Sequence, residues 1–252
     1  MKTSENVFET REGCDVNVTV YLMRHAHKSS YKGDISEQGI NDAKKLKGKF
    51  ERLAGIYKTS PLGVAHSGHK RPRKTAELLT RNDVGPEASP EAKEFVGEVR
   101  EGLKDVSSQA FDDAYQKLVT TGDESAGVQM VIDTGNKRFD EESASSVERS
   151  QSVAQELLRI VEQTKKYEAG TKKPIVVISH SSVVENFLVD LLGKRGNKES
   201  LKEMGGGLKF LEEVRLYINR KSPQEVELRY RFRDFEGSLT EQKLRQLAGQ
   251  ES

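Results

Sequence analysis

The sequence predicts an α/β fold of three layers, in which a mostly parallel sheet is covered by helices on both faces. Two observations lead to this prediction. First, short apolar runs alternate along the chain with longer segments whose apolar residues recur at helical spacing, and this alternation is typical of parallel sheets. Second, the run Ile175–Ser179 is apolar without alternation, as expected of a central strand that is buried on both faces.

The first half of the chain supplies two strand–helix units. Apolar, β-branched residues over 18–23 predict the first strand, and Ser36 is placed to cap the helix that follows. Residues 62–67 predict a second, shorter strand. Pro72 comes soon after it, and because proline is favoured at the first helical position, we expect a helix over residues 72–80.

The second half of the chain repeats this pattern. Ser145 and Glu148 have the spacing of a capping box, which predicts the start of a long helix before the central strand. A further helix is expected over residues 182–193. Val214–Ile218 and Val226–Phe232 then have the composition of a closing pair of strands.

These elements predict a single domain over residues 17–236. It lies between a flexible N-terminus, residues 1–16, and a C-terminal helix or tail, residues 237–252. Residues 91–140 show no sustained periodicity apart from a short helical pattern and one apolar run. We therefore expect them to form a small cap insertion that covers the site and determines its specificity.

The composition excludes several classes of function. Of the 252 residues 32% are charged, but the net charge is +1, so no overall field favours nucleic acid or a membrane surface. Cys14 is the single cysteine, which excludes an intramolecular disulfide and a metal site built from cysteines. No apolar run approaches the length of a membrane span. The sequence predicts a cytoplasmic protein without nucleic-acid or membrane partners, and it leaves the oligomeric state open.

All the histidines lie at or just after predicted strand ends; they are His25, His27, His66, His69 and His180. Because open α/β sheets bind ligands beyond the carboxyl ends of their strands, we expect a site there. One interpretation makes His25 and His27 ligands of a metal-dependent hydrolase. The other makes His25 a nucleophile that accepts a phosphoryl group, with Arg24, Arg71 and His180 forming a cationic cradle.

Four ordered motifs resemble those of the histidine phosphatase superfamily, which includes the phosphoglycerate mutases. They are Leu-Met-Arg-His-Ala at 22–26 with Asp-Ile-Ser-Glu-Gln-Gly at 34–39, Ser-x3-Arg-x3-Thr-Ala at 67–76, Glu142-Ser143, and Val-Val-Ile-Ser-His at 176–180. The resemblance covers roughly residues 18–80 and 141–193. Their order and approximate spacing agree with the family, which makes the set far more specific than an Arg-His pair alone.

The resemblance implies a role for each matching residue. His25 corresponds to the nucleophile that becomes phosphorylated. The residues that correspond to the phosphoryl-binding groups are Arg24, Arg71 and His180. The family also uses a carboxylic acid to protonate the leaving oxygen and later to activate water. The loosely matching segment 94–103 gives Glu94 for this role, with Glu98 second, and the resemblance implies neither a metal nor another cofactor.

The chain departs from the family beside the site residues. Ala26 and Ser181 stand where the family usually has a glycine after each histidine, and residues 68–70 replace the usual Pro-Leu before Arg71. The longer Arg-His-Gly-x-Arg-x-Pro opening of the acid phosphatase branch is also absent. These departures keep the charges of the site but remove marks of the mutase branch, so the chemistry is better supported than the substrate.

The predicted function is hydrolysis of a phosphomonoester through a covalent phosphohistidine on His25, without a metal. The expected partner is a phosphorylated small molecule or a phosphopeptide. Three alternatives stay open: mutase-type phosphoryl transfer at the same site, a non-catalytic phosphate-binding module on the same fold and, more remotely, the metal-dependent hydrolase.

Other basic residues near the motifs receive lesser roles. Arg73 is the fallback for Arg71, His27 and His69 are candidates for the rim of the site, and His66 is expected to pack in the core. An edge strand with basic residues on its solvent face, rather than a nucleic-acid strip, explains the alternating arginines Arg229, Arg231 and Arg233.

Overall fold

A computed structural model describes most of the chain. The described residues are 15–30, 33–59, 62–80, 96–101, 103, 113–117, 124–222 and 224–250, with the backbone alone for 96–101 and 124. The strands are β1 (Val16–Arg24), β2 (Leu62–His66), β3 (Val96–Glu101), β4 (Thr171–Ser179), β5 (Glu213–Arg220), β6 (Val226–Phe232) and β7 (Phe235–Leu239). The helices are α1 (Glu37–Tyr57), α2 (Lys70–Thr80), α3 (Glu124–Asp133), α4 (Ser146–Thr164), α5 (Ser181–Leu191), α6 (Ser200–Glu203) and α7 (Glu241–Leu247).

The seven strands form one sheet in the order β3-β2-β4-β1-β5-β6-β7. The first four strands in this order run parallel to one another, whereas β5, β6 and β7 are each antiparallel to the strand before them. The predicted α/β class with a parallel core is therefore confirmed. The predicted closing pair of strands is found as β5 and β6. Strand β1 lies at the centre of the sheet, and all nine of its residues are buried.

The side chains of β1 alternate between two apolar clusters, one on each face of the sheet. Val20 and Leu22 belong to the cluster that includes Phe187 of α5. Tyr21 packs on the opposite face against Phe50 of α1, with ring centroids 4.9 Å apart. Because successive strand residues point to opposite faces, a strand that is apolar throughout requires cover on both sides, and α1 and α2 on one face and α4 and α5 on the other supply it.

The interpretation of residues 91–140 as irregular is corrected in part. Val96–Glu101 forms β3, which pairs with β2 at the edge of the sheet, and α3 packs against α4 and α5. The sequence of β3, Val-Gly-Glu-Val-Arg-Glu, is rich in charge. Edge strands tolerate such charge because one side has no neighbouring strand, and this removed the apolar signal on which the prediction depended. The sheet also continues through β7, past residue 236.

The predicted helix starts are confirmed by their caps. The Ser36 side chain accepts a hydrogen bond from the Gly39 amide at 3.0 Å at the start of α1. At α4 the capping box is complete, because the Ser145 hydroxyl accepts from the Glu148 amide at 3.1 Å and the Glu148 carboxylate accepts from the Ser145 amide at 2.7 Å. Within the described segments, no helix has the length and apolar character needed to cross a bilayer.

Candidate active site

The carboxyl ends of β1, β4 and β2 lie side by side and bring the sequence motifs together. Arg24 at the end of β1 pairs with Ser179 at the end of β4, and the His25 amide donates to the Ser179 carbonyl at 2.9 Å. On the other side of β4, the Ser67 amide donates to the Ile178 carbonyl at 3.2 Å. The residues that follow these three strands are therefore neighbours at the carboxyl ends of the parallel strands.

Three imidazoles form a row across these strand ends. The ring centroids of His25 and His180 are 5.0 Å apart with an interplanar angle of 74°, and those of His180 and His69 are 5.2 Å apart with an angle of 82°. His25 is only 2% exposed, whereas His69 and His180 are half-buried. The row therefore runs from a buried imidazole towards the protein surface.

The surroundings of His25 favour a neutral imidazole with one free nitrogen. Its Nδ1 lies 2.7 Å from the Ala26 carbonyl oxygen, which can only accept, so Nδ1 carries the hydrogen and Nε2 keeps its lone pair. Burial lowers the pKa of His25 well below the ordinary value, and the charges of His180 and Arg71 lower it further. At neutral pH the imidazole is therefore uncharged, with its hydrogen on Nδ1 and a nucleophilic lone pair on Nε2.

The start of α2 is tied to the end of β1. The Ala26 amide donates to the Thr75 hydroxyl at 3.1 Å, and that hydroxyl donates to the Arg71 carbonyl at 2.9 Å. Arg71 is half-buried and its charge acts on His25, while Arg73 lies exposed on the same helix. The geometry thus brings Arg71, rather than the fallback Arg73, to the site.

Arg24 is 5% exposed, and its guanidinium is held against a loop that sequence reasoning did not assign to the site. Its Nη1 donates to the Leu208 carbonyl at 2.7 Å, and its Cζ lies 3.9 Å from the centroid of the Phe210 ring. The Phe210 ring also contacts His25 and His27, with centroids 5.7 Å and 4.8 Å apart. Three consecutive glycines before Phe210 signal a turn in the sequence, but nothing local signals its contact with β1.

We call residues 204–212 the glycine loop. Gly205 and Gly206 have φ angles of 85° and 89°, in the left-handed region that favours glycine. Two side chains hold this loop from outside. Arg233 donates to the carbonyls of residues 204, 206 and 207 and to the Glu212 carboxylate, and Glu185 of α5 accepts from the Leu208 amide. These hydrogen bonds fix the conformation of the glycine loop beside Arg24.

The prediction that Arg229, Arg231 and Arg233 lie on an edge strand was wrong in two respects. β6, which holds Arg229 and Arg231, is an inner strand between β5 and β7, and Arg233 lies outside it. Arg233 follows the end of β6 with a φ of 51°, and its guanidinium binds the glycine loop as described above. The alternation of basic residues in the sequence continued one step beyond the strand, which is why the pattern misplaced it.

The structure does not describe the side chain of either candidate acid. Glu94 lies outside the described residues. Glu98 lies in β3, where its backbone pairs with Gly63, three positions before the pairing of Glu101 with His66. Within the described part of the chain, the charged side chains that shift the pKa of His25 are His180, Arg71 and Arg24.

Two further histidines and two lysines near the site make contacts of their own. The Nδ1 of His27 lies 2.8 Å from the Ser36 hydroxyl, and that of His66, which is buried as expected, accepts from the Gly68 amide at 3.0 Å. The ammonium groups of Lys70 and Lys74 lie 3.1 Å and 3.3 Å from the Asp34 carboxylate. Among the described residues, no three His, Cys, Asp or Glu side chains are grouped to hold a metal ion.

Comparison with solved structures identifies the fold. No protein-family model and no curated protein sequence matches the chain. Among solved structures, mycobacterial hydrolase 1 is 14% identical with a TM-score of 0.54 over 88% of this chain and 100% of its own, and mycobacterial hydrolase 2 is 14% identical with a TM-score of 0.55 over 92% and 97%. A mycobacterial glucosyl-3-phosphoglycerate phosphatase, a histidine phosphatase, is 15% identical with a TM-score of 0.53 over 85% and 97%. The chain therefore has the histidine phosphatase fold, as its four motifs predicted.

Proposed function

We propose that the protein is a metal-independent phosphatase that hydrolyses phosphomonoesters through a covalent phosphohistidine on His25. The observation that carries this proposal is the state of His25. It is a buried, neutral imidazole whose Nδ1 is satisfied by the Ala26 carbonyl and whose Nε2 is free to attack phosphorus. Arg24, Arg71 and His180 surround it with positive charge and hydrogen-bond donors, as phosphoryl transfer requires.

The proposed reaction has two steps. In the first, Nε2 of His25 attacks phosphorus, the bond to the leaving oxygen breaks, and that oxygen takes a proton from an acid. In the second, water attacks the phosphorus of the phosphohistidine and returns a proton to the deprotonated acid, the P–N bond breaks, and inorganic phosphate leaves. Arg24 and Arg71 neutralise the oxygens of the phosphoryl group in both steps. The acid remains the prediction made from the sequence, Glu94 with Glu98 second.

The ligand class has support from one similar enzyme. The mycobacterial glucosyl-3-phosphoglycerate phosphatase has also been solved with inorganic phosphate and with VO3. A site for a phosphorylated ligand on this fold fits the cationic surroundings of His25. A phosphorylated small molecule and a phosphopeptide are both candidates, and a cytoplasmic location remains a prediction from composition.

Two other functions share this site. A non-catalytic phosphate-binding module needs the cationic cradle but no acid, and it stays a candidate because no described carboxylate acts on His25. Mutase-type transfer differs from hydrolysis in the acceptor, which is a second hydroxyl compound instead of water.

The proposal is tested by hydrolysis of p-nitrophenyl phosphate in excess EDTA, with trapping of the phosphoenzyme. We expect turnover in the chelator and an acid-labile phosphoenzyme, with both lost by at least about 10³-fold in His25→Asn because the nucleophile is gone. Unchanged hydrolysis in this variant contradicts the mechanism. Phosphate binding without turnover by the natural protein identifies the binding module, and loss of activity in EDTA identifies the metal-dependent alternative.

A further inference from the structure

His69 directly precedes α2, and its imidazole contacts the imidazole of His180. The ring centroids are 5.2 Å apart with an interplanar angle of 82°, which is the edge-to-face geometry that aromatic pairs favour. We propose that His69 is a positioning residue, which holds the His180 imidazole in the orientation that binds the phosphoryl group. This inference rests on the phosphatase function proposed above and adds to it a residue that acts through His180.

Hydrogen bonds hold the backbone on both sides of His69. Before it, Gly68 has a φ of 75°, in the left-handed region that favours glycine, and its amide donates to Nδ1 of His66 at 3.0 Å. After it, the Arg73 amide donates to the His69 carbonyl at 3.0 Å, and α2 is tied to the end of β1 as described above. The His69 imidazole therefore lies on a segment whose position beside the strand ends is fixed.

His180 contacts two other imidazoles. Its backbone is fixed at the start of α5, where its carbonyl accepts from the Val183 and Val184 amides at 3.1 Å and 3.2 Å. Its ring contacts that of His25, with centroids 5.0 Å apart, as well as that of His69. Because His25 is the proposed nucleophile, the contact with His69 is the one that a substitution can remove while the nucleophile stays intact.

The orientation of the His180 ring matters because an imidazole N–H donates a hydrogen bond along a fixed direction in the plane of the ring. The outer side-chain torsion of histidine has a broad, two-fold preference, so the backbone alone does not set this plane. Contacts with neighbouring side chains set it, and small errors in the placement of an active-site group are costly to catalysis. The edge-to-face contact with His69 is such a restraint.

The first test removes the ring of His69 and then restores one. His69→Leu should lower kcat/KM for p-nitrophenyl phosphate by about 3–10-fold, the effect of losing one edge-to-face ring contact. His69→Phe keeps a ring but no nitrogen atoms, and its kcat/KM should return to within about twofold of the parent. Lys70→Leu is the matched control, because Lys70 is the next residue and its side chain is 70% exposed, and its kcat/KM should also stay within about twofold.

The second test asks whether His69 acts through His180. In a His180→Gln background, which lacks the second ring, adding His69→Leu should change kcat/KM by less than about 1.5-fold, because the contact no longer exists. The loss in His69→Leu alone should be equal, within about twofold, for phenyl phosphate and p-nitrophenyl phosphate, because His180 binds the phosphoryl group that both esters share. A proton donor to the leaving oxygen would affect phenyl phosphate more strongly, since its leaving oxygen is more basic.

Several results overturn the inference. They are a kcat/KM of His69→Leu within about twofold of the parent, a His69→Phe variant as impaired as His69→Leu, a loss that persists in the His180→Gln background, or a larger loss for phenyl phosphate than for p-nitrophenyl phosphate. Failure of the underlying function looks different. In that case the natural protein hydrolyses neither ester, and no phosphohistidine forms.

Discussion

The two sides of the site are built in different ways. On one side, the motif residues lie at or after the carboxyl ends of three adjacent parallel strands, and each belongs to a short recognisable motif. They are Arg24, His25, Arg71 and His180. On the other side, the glycine loop comes from a segment with no motif. Arg24 and Arg233 donate hydrogen bonds to its carbonyls, and Glu185 accepts one from its Leu208 amide. The motif residues carry the proposed chemistry, whereas the glycine loop contacts the Arg24 guanidinium and holds it in position.

This difference teaches where a sequence reveals function. Strand ends are set by local apolar patterns, so a residue placed one position after a strand is located by the pattern itself. The glycine loop is located by partners far away along the chain, such as Arg233 for residues 204–207 and Arg24 for Leu208. The following predictions test whether the motif residues control catalysis while the glycine loop controls the position of Arg24.

The largest effect is expected for Arg71→Gln. Removing a preorganised cation from the phosphoryl group should lower kcat/KM for p-nitrophenyl phosphate by about 10²–10³-fold. Arg73→Gln on the same helix is the control, because Arg73 is exposed, and its kcat/KM should stay within about twofold of the parent. Equal losses in the two variants would contradict the placement of Arg71 at the site.

The next effect is expected for Arg233→Gln. This change leaves several carbonyls of the glycine loop and the Glu212 carboxylate without their donor, and it should lower the free energy of unfolding by about 1–3 kcal/mol. Denaturant titration measures the loss. Arg231→Gln, at an exposed position of β6, should change stability by less than about 0.5 kcal/mol. Similar values for the two variants would show that Arg233 does not hold the loop.

A smaller effect is expected for Phe210→Leu. Loss of the ring beneath the Arg24 guanidinium removes a cation–π contact of about 0.5–2 kcal/mol, so the Ki of inorganic phosphate should rise by about 2–30-fold. Phe210→Tyr keeps the ring and should restore the Ki. If Leu and Tyr give the same Ki, the ring does not position Arg24.

The smallest effect concerns pH and His25. Its pKa is lowered by folding, so below the ordinary value of about 6.5 the unfolded chain binds a proton that the native chain does not. Stability therefore falls as pH falls below 6.5, by up to about 1.4 kcal/mol per pH unit until the native pKa is reached. His25→Asn removes this dependence. Urea titrations of both proteins between pH 7.5 and 5.5 should diverge, and parallel curves would contradict the lowered pKa.

The prediction from sequence succeeded where local physics was sufficient. β6 was predicted with its observed ends, and α4 was placed by its capping box, because buried strands and caps leave a signal within a few residues. The interpretation failed at β3, an edge strand with too many charges, and at Arg233, where a basic alternation ran past the strand. Phe210 and Glu185 could not be found, since their roles depend on contacts between segments that are distant in sequence.

The position of β1 has a consequence for how the protein loses activity. β1 is the fourth of seven strands, paired with β4 on one side and β5 on the other, and both faces are covered. Amides of such a strand exchange their hydrogens with solvent through the largest openings of a structure, whereas edge elements open locally at lower free energy. His25, the proposed nucleophile, thus directly follows the strand that we expect to open last. We expect the edge strands β3 and β7 to exchange while His25 is still in place, and inactivation to coincide with global unfolding.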